Sequence, residues 1–275
     1  MKVDNKAENK PKSKKILLKI ILGVCLLSIA IFSTLIIREL YIDWQSRTFF
    51  SDIAEQVERR PDTSPSGNIG DDGAQSGQSE QPDDTETWVP FINFEALNYL
   101  IPGVVGWIKL DGTPIDYMIM QYTDNDFFLS RLPDGTQHRN GSIFLDYRNN
   151  SDFSDKSILI YGHETRAGDM FGVLKNYRDQ EFFDANPQIF LYTPERDYII
   201  EIFAGNVAHS VRDHPPLHFE TDEEFLDYIN HLKRTSVFST DVEVSAGDRI
   251  VSLVTCTYDF DDARLIIVGK LTYTS

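Results

Sequence analysis

Apolar and polar positions divide the chain into unequal stretches. Residues 1–15 are polar and lysine-rich. Residues 16–37 are apolar, with Lys19 the only charge, and Ile20 to Ile37 is an uncharged run of 18 residues. As a helix rising ~1.5 Å per residue, this segment would reach about 33 Å, enough to cross a hydrocarbon core. Lys19 can extend its ammonium to the headgroups. Residues 38–60 predict an amphipathic stalk helix, with Leu40, Trp44, Phe50, Ile53 and Val57 on roughly one face and Pro61 ending it. Residues 61–87 are built from Ser, Gly, Asp, Gln and Pro, with Ile69 their only large apolar residue. Too little surface can be buried there to offset the entropy of ordering, so the stretch reads as a disordered linker.

From residue 88 to 275 the pattern changes to short β-branched runs separated by turns. Strands are expected at Val104–Leu110, Ile115–Gln121, Gly141–Leu145, Ser157–Tyr161, Gln188–Tyr192, Tyr198–His209, Arg249–Thr255 and Leu265–Tyr273. Helical inserts are expected at Phe91–Leu100, Met170–Tyr177 and Asp222–Thr235, the last capped by Thr221 or Asp222. The predicted class is therefore mainly β. A closed or nearly closed eight-stranded barrel with a few peripheral helices follows a single N-terminal transmembrane helix.

Charge orients this arrangement. Residues 1–37 carry seven lysines against Asp4 and Glu8, all but one of them before the apolar run. The positive-inside rule then keeps the N-terminus in the cytoplasm and puts everything after Arg38 outside. A cleaved signal peptide is the rival reading, but the run is longer than a usual signal core and no small-x-small site follows. Of the net charge of −17, the remainder of the chain accounts for −22. Such an acidic body argues against nucleic acid as a partner.

Cysteine use narrows the chemistry. Cys25 lies in the apolar run, so Cys256 is alone in the rest of the chain. A disulfide framework and a Cys-based zinc site are both excluded. No Asp-x-Asp-x-Asp-Gly pattern occurs, so neither a metal nor a cofactor is expected. Cys256 ends one predicted strand and Arg264 opens the next, after the polar insert Thr257 to Ala263. As a hairpin, these would place a thiol and a guanidinium at the same end of a rigid sheet. A buried structural Cys beside a surface Arg is the plain alternative. Of the six histidines, His163 stands out because it follows the strand Ser157–Tyr161 through Gly162.

Several stretches together resemble one family. Tyr161-Gly162-His163, followed by Gly168-Asp169-Met170-Phe171-Gly172, resembles the histidine motif of class B sortases. Leu253-Val254-Thr255-Cys256 with Arg264 eight residues on resembles their cysteine-to-arginine signature. Thr113-Pro114-Ile115-Asp116-Tyr117, Asp124-Asn125 and Ser142 to Asn149 are also similar to stretches of that class, so the likeness runs from about Val104 to Leu271. It departs at Val254, where relatives often have Ser, and at Met118-Ile119, where Pro-Val is common.

The resemblance implies an extracytoplasmic cysteine transpeptidase of the Gram-positive cell surface. Its partners would be secreted proteins with a C-terminal sorting motif, cut after threonine, and an amine of a peptidoglycan precursor or a pilin. Cys256 would be the nucleophile, His163 the acid and base, and Arg264 the electrostatic donor, since its pKa excludes it as a base. Asn125 would orient the histidine. Val254, Thr255, Tyr228 and Ile229 would contact the peptide. Two other readings stay open: a hydrolytic cysteine peptidase on the same fold, and a non-enzymatic tethered binding module.

Overall fold

The β-branched runs close on themselves in the computed structural model, which describes residues 12–57, 91–165, 167–209, 213–256 and 263–274. The strands are β1 Val104–Lys109, β2 Asp116–Met120, β3 Ile143–Leu145, β4 Ser157–Tyr161, β5 Gln188–Tyr192, β6 Asp197–His209, β7 Arg249–Cys256 and β8 Ala263–Tyr273. They form a closed barrel in the order β1-β2-β3-β4-β7-β8-β6-β5, with β5 paired back to β1. Pairs β2/β3 and β4/β7 are parallel and the others antiparallel. Among the described residues, closure leaves no free strand edge, the usual liability of a β protein.

Strand alternation explains the uninterrupted apolar runs. Val251, Leu253, Leu265 and Ile267 join the main core with Trp107, Ile108 and Met118. Their neighbours Ile250, Val254, Ile266 and Val268 face the other way, into a second cluster with Phe203. Helix α4, Asp222–Arg234, covers that face with Phe225, Ile229 and Leu232. Both faces of β7 and β8 are buried, so neither shows the polar alternation of a half-exposed strand. Thr221 is the N-cap of α4 and accepts the Glu224 N–H at 3.1 Å.

The smaller elements differ from the sequence pattern. The expected helix at Met170–Tyr177 is a 3-10 segment, Gly172–Arg178, followed by α3, Gln180–Ala185. Asp179 caps α3 through the Glu181 N–H. The N-terminal insert is α2, Phe94–Leu100, which starts later than expected because Asn93 caps it.

One helix, α1, Lys12–Val57, runs without a break through the apolar run and residues 38–57 of the expected stalk, whose last three residues lie outside the described ones. No proline interrupts that span, so nothing ends the helix between Ile37 and Arg38. The chain divides into two compact units, residues 1–48 and 49–275. In the first, α1 is long and apolar enough to cross a membrane, with mean hydropathy 2.8 in its most apolar window and none of that window buried. In the second, Phe50 and Val57 are buried and Ile53 is partly covered. Phe50 meets Tyr117 edge to face at 4.9 Å, and the Val57 carbonyl accepts the Asn93 N–H at 2.9 Å. Leu40 and Trp44, expected on the same face, are exposed. The linker over residues 61–87, the domain start at residue 88 and most of the basic tail lie outside the described residues.

Candidate active site

Four strand ends meet at one rim of the barrel. Because β4 and β7 run parallel, with Tyr161 opposite Val254, their C-terminal ends lie side by side. Because β7 and β8 are antiparallel, Cys256 at the end of β7 is paired with Arg264 at the start of β8. His163 follows β4 by two residues at that rim. Strand β6 ends there too, with His209 opposite Ala263. The hairpin expected from sequence is therefore present, and its backbone brings Cys256, Arg264 and the His163 segment together. The insert between the strands, residues 257–262, lies outside the described residues.

The backbone around His163 is held closely. Gly162 donates its N–H to the Val254 carbonyl at 3.1 Å. A Cβ on Gly162 would lie 2.7 Å from the Phe171 ring and collide with Ile143, so only glycine lets the chain leave β4 at this point. The His163 carbonyl accepts the Phe171 N–H at 3.0 Å, which folds the following loop back on itself. The imidazole Nε2 lies 2.6 Å from the carbonyl oxygen of Leu129. A carbonyl only accepts, so Nε2 carries the proton in this contact. Leu129 belongs to a 3-10 turn, Phe127–Ser130, that the sequence pattern does not reveal.

A groove of about 250 Å³ opens beside these groups. His163, Arg264, Val254, Thr255, Asn125 and Tyr161 all line it. Thr255 is buried, and its Oγ1 has no hydrogen-bond partner among the described residues. Val254 also packs on the α4 cluster. Two further candidates sit behind the wall. Both belong to α4: Ile229 is buried on its inner side, and Tyr228 packs against Phe219 at 5.5 Å, its hydroxyl pushed to a higher pKa by burial. His209, Asp213 and His214 also line the groove, and sequence reasoning did not single them out.

Behind the groove lies a polar cluster centred on Asp146, whose side chain is 0% exposed. Its Oδ1 accepts the Arg148 N–H at 2.9 Å and the Arg148 Nε–H at 2.8 Å. Its Oδ2 accepts Arg148 Nη2 at 2.7 Å, Tyr161 O–H at 2.9 Å and Asn125 Nδ2 at 3.0 Å. Burial alone would raise this carboxyl, but the hydrogen bonds from Arg148, Asn125 and Tyr161 outweigh it and hold the pKa at about 2. Burial, then the neighbouring Asp146 charge, raises the Tyr161 hydroxyl above its ordinary range. The same hydroxyl lies 3.0 Å from His214 Nε2. Asn125 spends its other end on the Tyr147 N–H at 3.0 Å. Among the described residues, no cluster of three or more His, Cys, Asp or Glu is arranged to hold a metal ion.

Comparison with known proteins places this geometry in context. The chain is 38% identical over 177 residues to sortase B of Listeria monocytogenes, covering 64% of this chain and 72% of that protein. A solved sortase B from B. anthracis in complex with AAEK1 aligns at a TM-score of 0.68 and 29% identity, over 86% of this chain and all of that one. A Staphylococcus aureus sortase B–substrate complex and a sortase B structure complexed with triglycine each align at a TM-score of 0.63 and 31% identity. Each covers 66% of this chain, and 85% and 86% of theirs. No protein-family model matches the chain.

Proposed function

Because the chain belongs to the sortase B family and is a sortase transpeptidase, we propose that it cuts secreted proteins at a C-terminal motif of the form Asn-Pro-x-Thr or Ser-Pro-x-Thr. The acyl group then passes through a thioester on Cys256 to an amine of the cell wall or of a pilin. The observation that carries this reading is the pairing of Cys256 with Arg264 at the rim where His163 leaves β4, beside an open groove.

In this mechanism the Cys256 thiolate attacks the threonine carbonyl carbon, and the carbonyl electrons move onto its oxygen. Arg264 donates to that oxyanion. As the C–N bond breaks, the His163 imidazolium protonates the departing amine, leaving a thioester and a neutral imidazole. The incoming amine attacks the thioester carbonyl and loses its proton to His163, and the thiolate departs. Nε2–H is held by Leu129, so Nδ1 is the nitrogen that gives and takes the proton in this scheme. The thioester preserves enough activation for amide formation without ATP, which suits a compartment outside the membrane. Val254 and Thr255 would shape the groove wall, with Tyr228 and Ile229 supporting it through α4.

Helix α1 supports anchoring in a membrane. The lysines before the apolar run support a cytoplasmic N-terminus and an external barrel. The solved sortase B complexes, one from S. aureus with substrate and one with triglycine, support a peptide donor and an amine acceptor. The test is to incubate the full chain in detergent with an Asn-Pro-x-Thr peptide, with and without triglycine. A ligated product supports the reading. Hydrolysis alone, with no adduct at any triglycine concentration, supports a peptidase, and cleavage that persists in Cys256→Ala removes the reading.

A further inference from the structure

We propose that Asp146 is the positioning residue for His163, acting through two separate arms and never touching the substrate. The inference rests on the transpeptidase reading for its kinetic consequences, but its geometry stands on described residues.

The first arm runs through the 3-10 turn. Asp146 Oδ2 accepts Asn125 Nδ2 at 3.0 Å, and Asn125 Oδ1 accepts the Tyr147 N–H at 3.0 Å, so both ends of that amide are fixed. One residue earlier, Asp124 Oδ1 accepts the N–H groups of Asp126 and Phe127, each at 2.8 Å. This pins the entry of the turn Phe127–Ser130, whose Leu129 carbonyl holds His163 Nε2. The second arm runs through β4. The same Oδ2 accepts the Tyr161 hydroxyl at 2.9 Å, and Tyr161 is two residues before His163. The backbone that carries the imidazole and the carbonyl that orients it are thus tied to one oxygen atom.

A purely structural role would not need this design. Burying a carboxylate costs desolvation, and an apolar residue of similar volume would close the barrel with less penalty. Apart from Arg148, which keeps the carboxylate ionised, both side chains bonded to Asp146 line the groove. Asp146 itself is anchored at the end of β3, its N–H donating to the Leu159 carbonyl at 2.9 Å. The carboxylate therefore transmits the rigidity of the barrel to the rim.

An amide cannot substitute for it. In Asp146→Asn, either orientation turns an N–H₂ toward Arg148 N–H groups, which only donate. A second change restores one link: in Asn125→Asp/Asp146→Asn the amide at 146 donates to a carboxylate at 125, which still accepts the Tyr147 N–H. The experiment uses the full chain in detergent. It measures kcat and KM per folded molecule, and ¹³C-histidine NMR of the His163 tautomer, assigned with His163→Gln. Asp146→Asn is expected to lower kcat on the order of 10²-fold, as a small misplacement of a reacting group does. KM should change less than about 3-fold, and the Nε2–H tautomer should lose its dominance. The swap is expected to recover part of kcat and the tautomer. Wild-type kcat and tautomer in Asp146→Asn would overturn the proposal. So would a loss that tracks only the folded fraction and is not recovered by the swap. A wild-type chain that cleaves no peptide would instead remove the transpeptidase reading, and the NMR comparison would still decide the role of Asp146.

Discussion

The two ends of the barrel treat a carboxylate in opposite ways. At the groove end, Asp146 is surrounded by donors and held at a pKa of about 2. At the far end, Asp197 opens β6, the strand whose other terminus is His209 at the groove. Burial pushes Asp197 up to about 6, opposed by the N–H of Phe91, and its Oδ1 is buried without a partner among the described residues. Burial is common to both, and the number of donors decides the sign. The groove end is over-determined by hydrogen bonds, as a reacting geometry requires, while the far end is held by packing and ladder bonds. Changes at the rim should therefore alter rate more than stability, and changes elsewhere should do the reverse.

The largest effects should come from the rim. His163→Gln is expected to reduce kcat/KM by about 10²–10⁴-fold, and Arg264→Ala by about 10²–10³-fold. Thermal melts should move little in either variant, and a large melting shift that accounts for the loss would break the contrast. Next is the packed wall behind β7. Phe225 is fully buried in the second cluster, so Phe225→Ala should cost about 3–5 kcal/mol in denaturant unfolding. Residual folded protein should keep its turnover rate.

The carboxylates give smaller, pH-dependent effects of opposite sign. The folded-state pKa of Asp146 lies below the ordinary carboxylate value, so its contribution is complete above about pH 4 and is lost as pH falls toward 2. It amounts to about 2 kcal/mol, and unfolding titrations of wild type against Asp146→Asn over that window read it. Asp197 works the other way: with a folded pKa of about 6, the folded state takes up a proton more readily than the unfolded one. Stability from this group therefore declines as pH rises through about 4 to 6. Asp197→Asn should gain on wild type across that interval and match it below pH 4. The effect should stay near or below about 1 kcal/mol, because the half-buried group is partly screened by solvent. Parallel pH curves for the two variants would erase the distinction between the barrel ends.

Much of the barrel is legible in the sequence because its signals are local. The runs Ser157–Tyr161 and Gln188–Tyr192 match strand bounds, and the pairing of Cys256 with Arg264 follows from two β-branched runs around a polar insert. The continuity of α1 was also readable, since Arg38 is a charge and not a helix breaker. What stayed hidden depends on distance or on weak local pattern. The turn Phe127–Ser130 is too short for any periodicity. Asp146 lies 21 positions from Asn125 and 15 from Tyr161, and only folding reveals that both donate to one of its oxygens. Asn125, Tyr161 and the stretch Ser142 to Asn149 each stand out in the sequence, but nothing there ties them to one carboxylate.

The central claim is that Cys256 takes the acyl group from a peptide while His163 and Arg264 serve the same carbonyl. The direct measurement is intact-mass and peptide mapping of the full chain, quenched in acid soon after mixing with an Asn-Pro-x-Thr peptide. The expected result is an adduct ending at threonine on the fragment containing Cys256, removed by hydroxylamine and absent in Cys256→Ala. Turnover by a chain that never carries an adduct at Cys256, or an adduct on another residue, would contradict it.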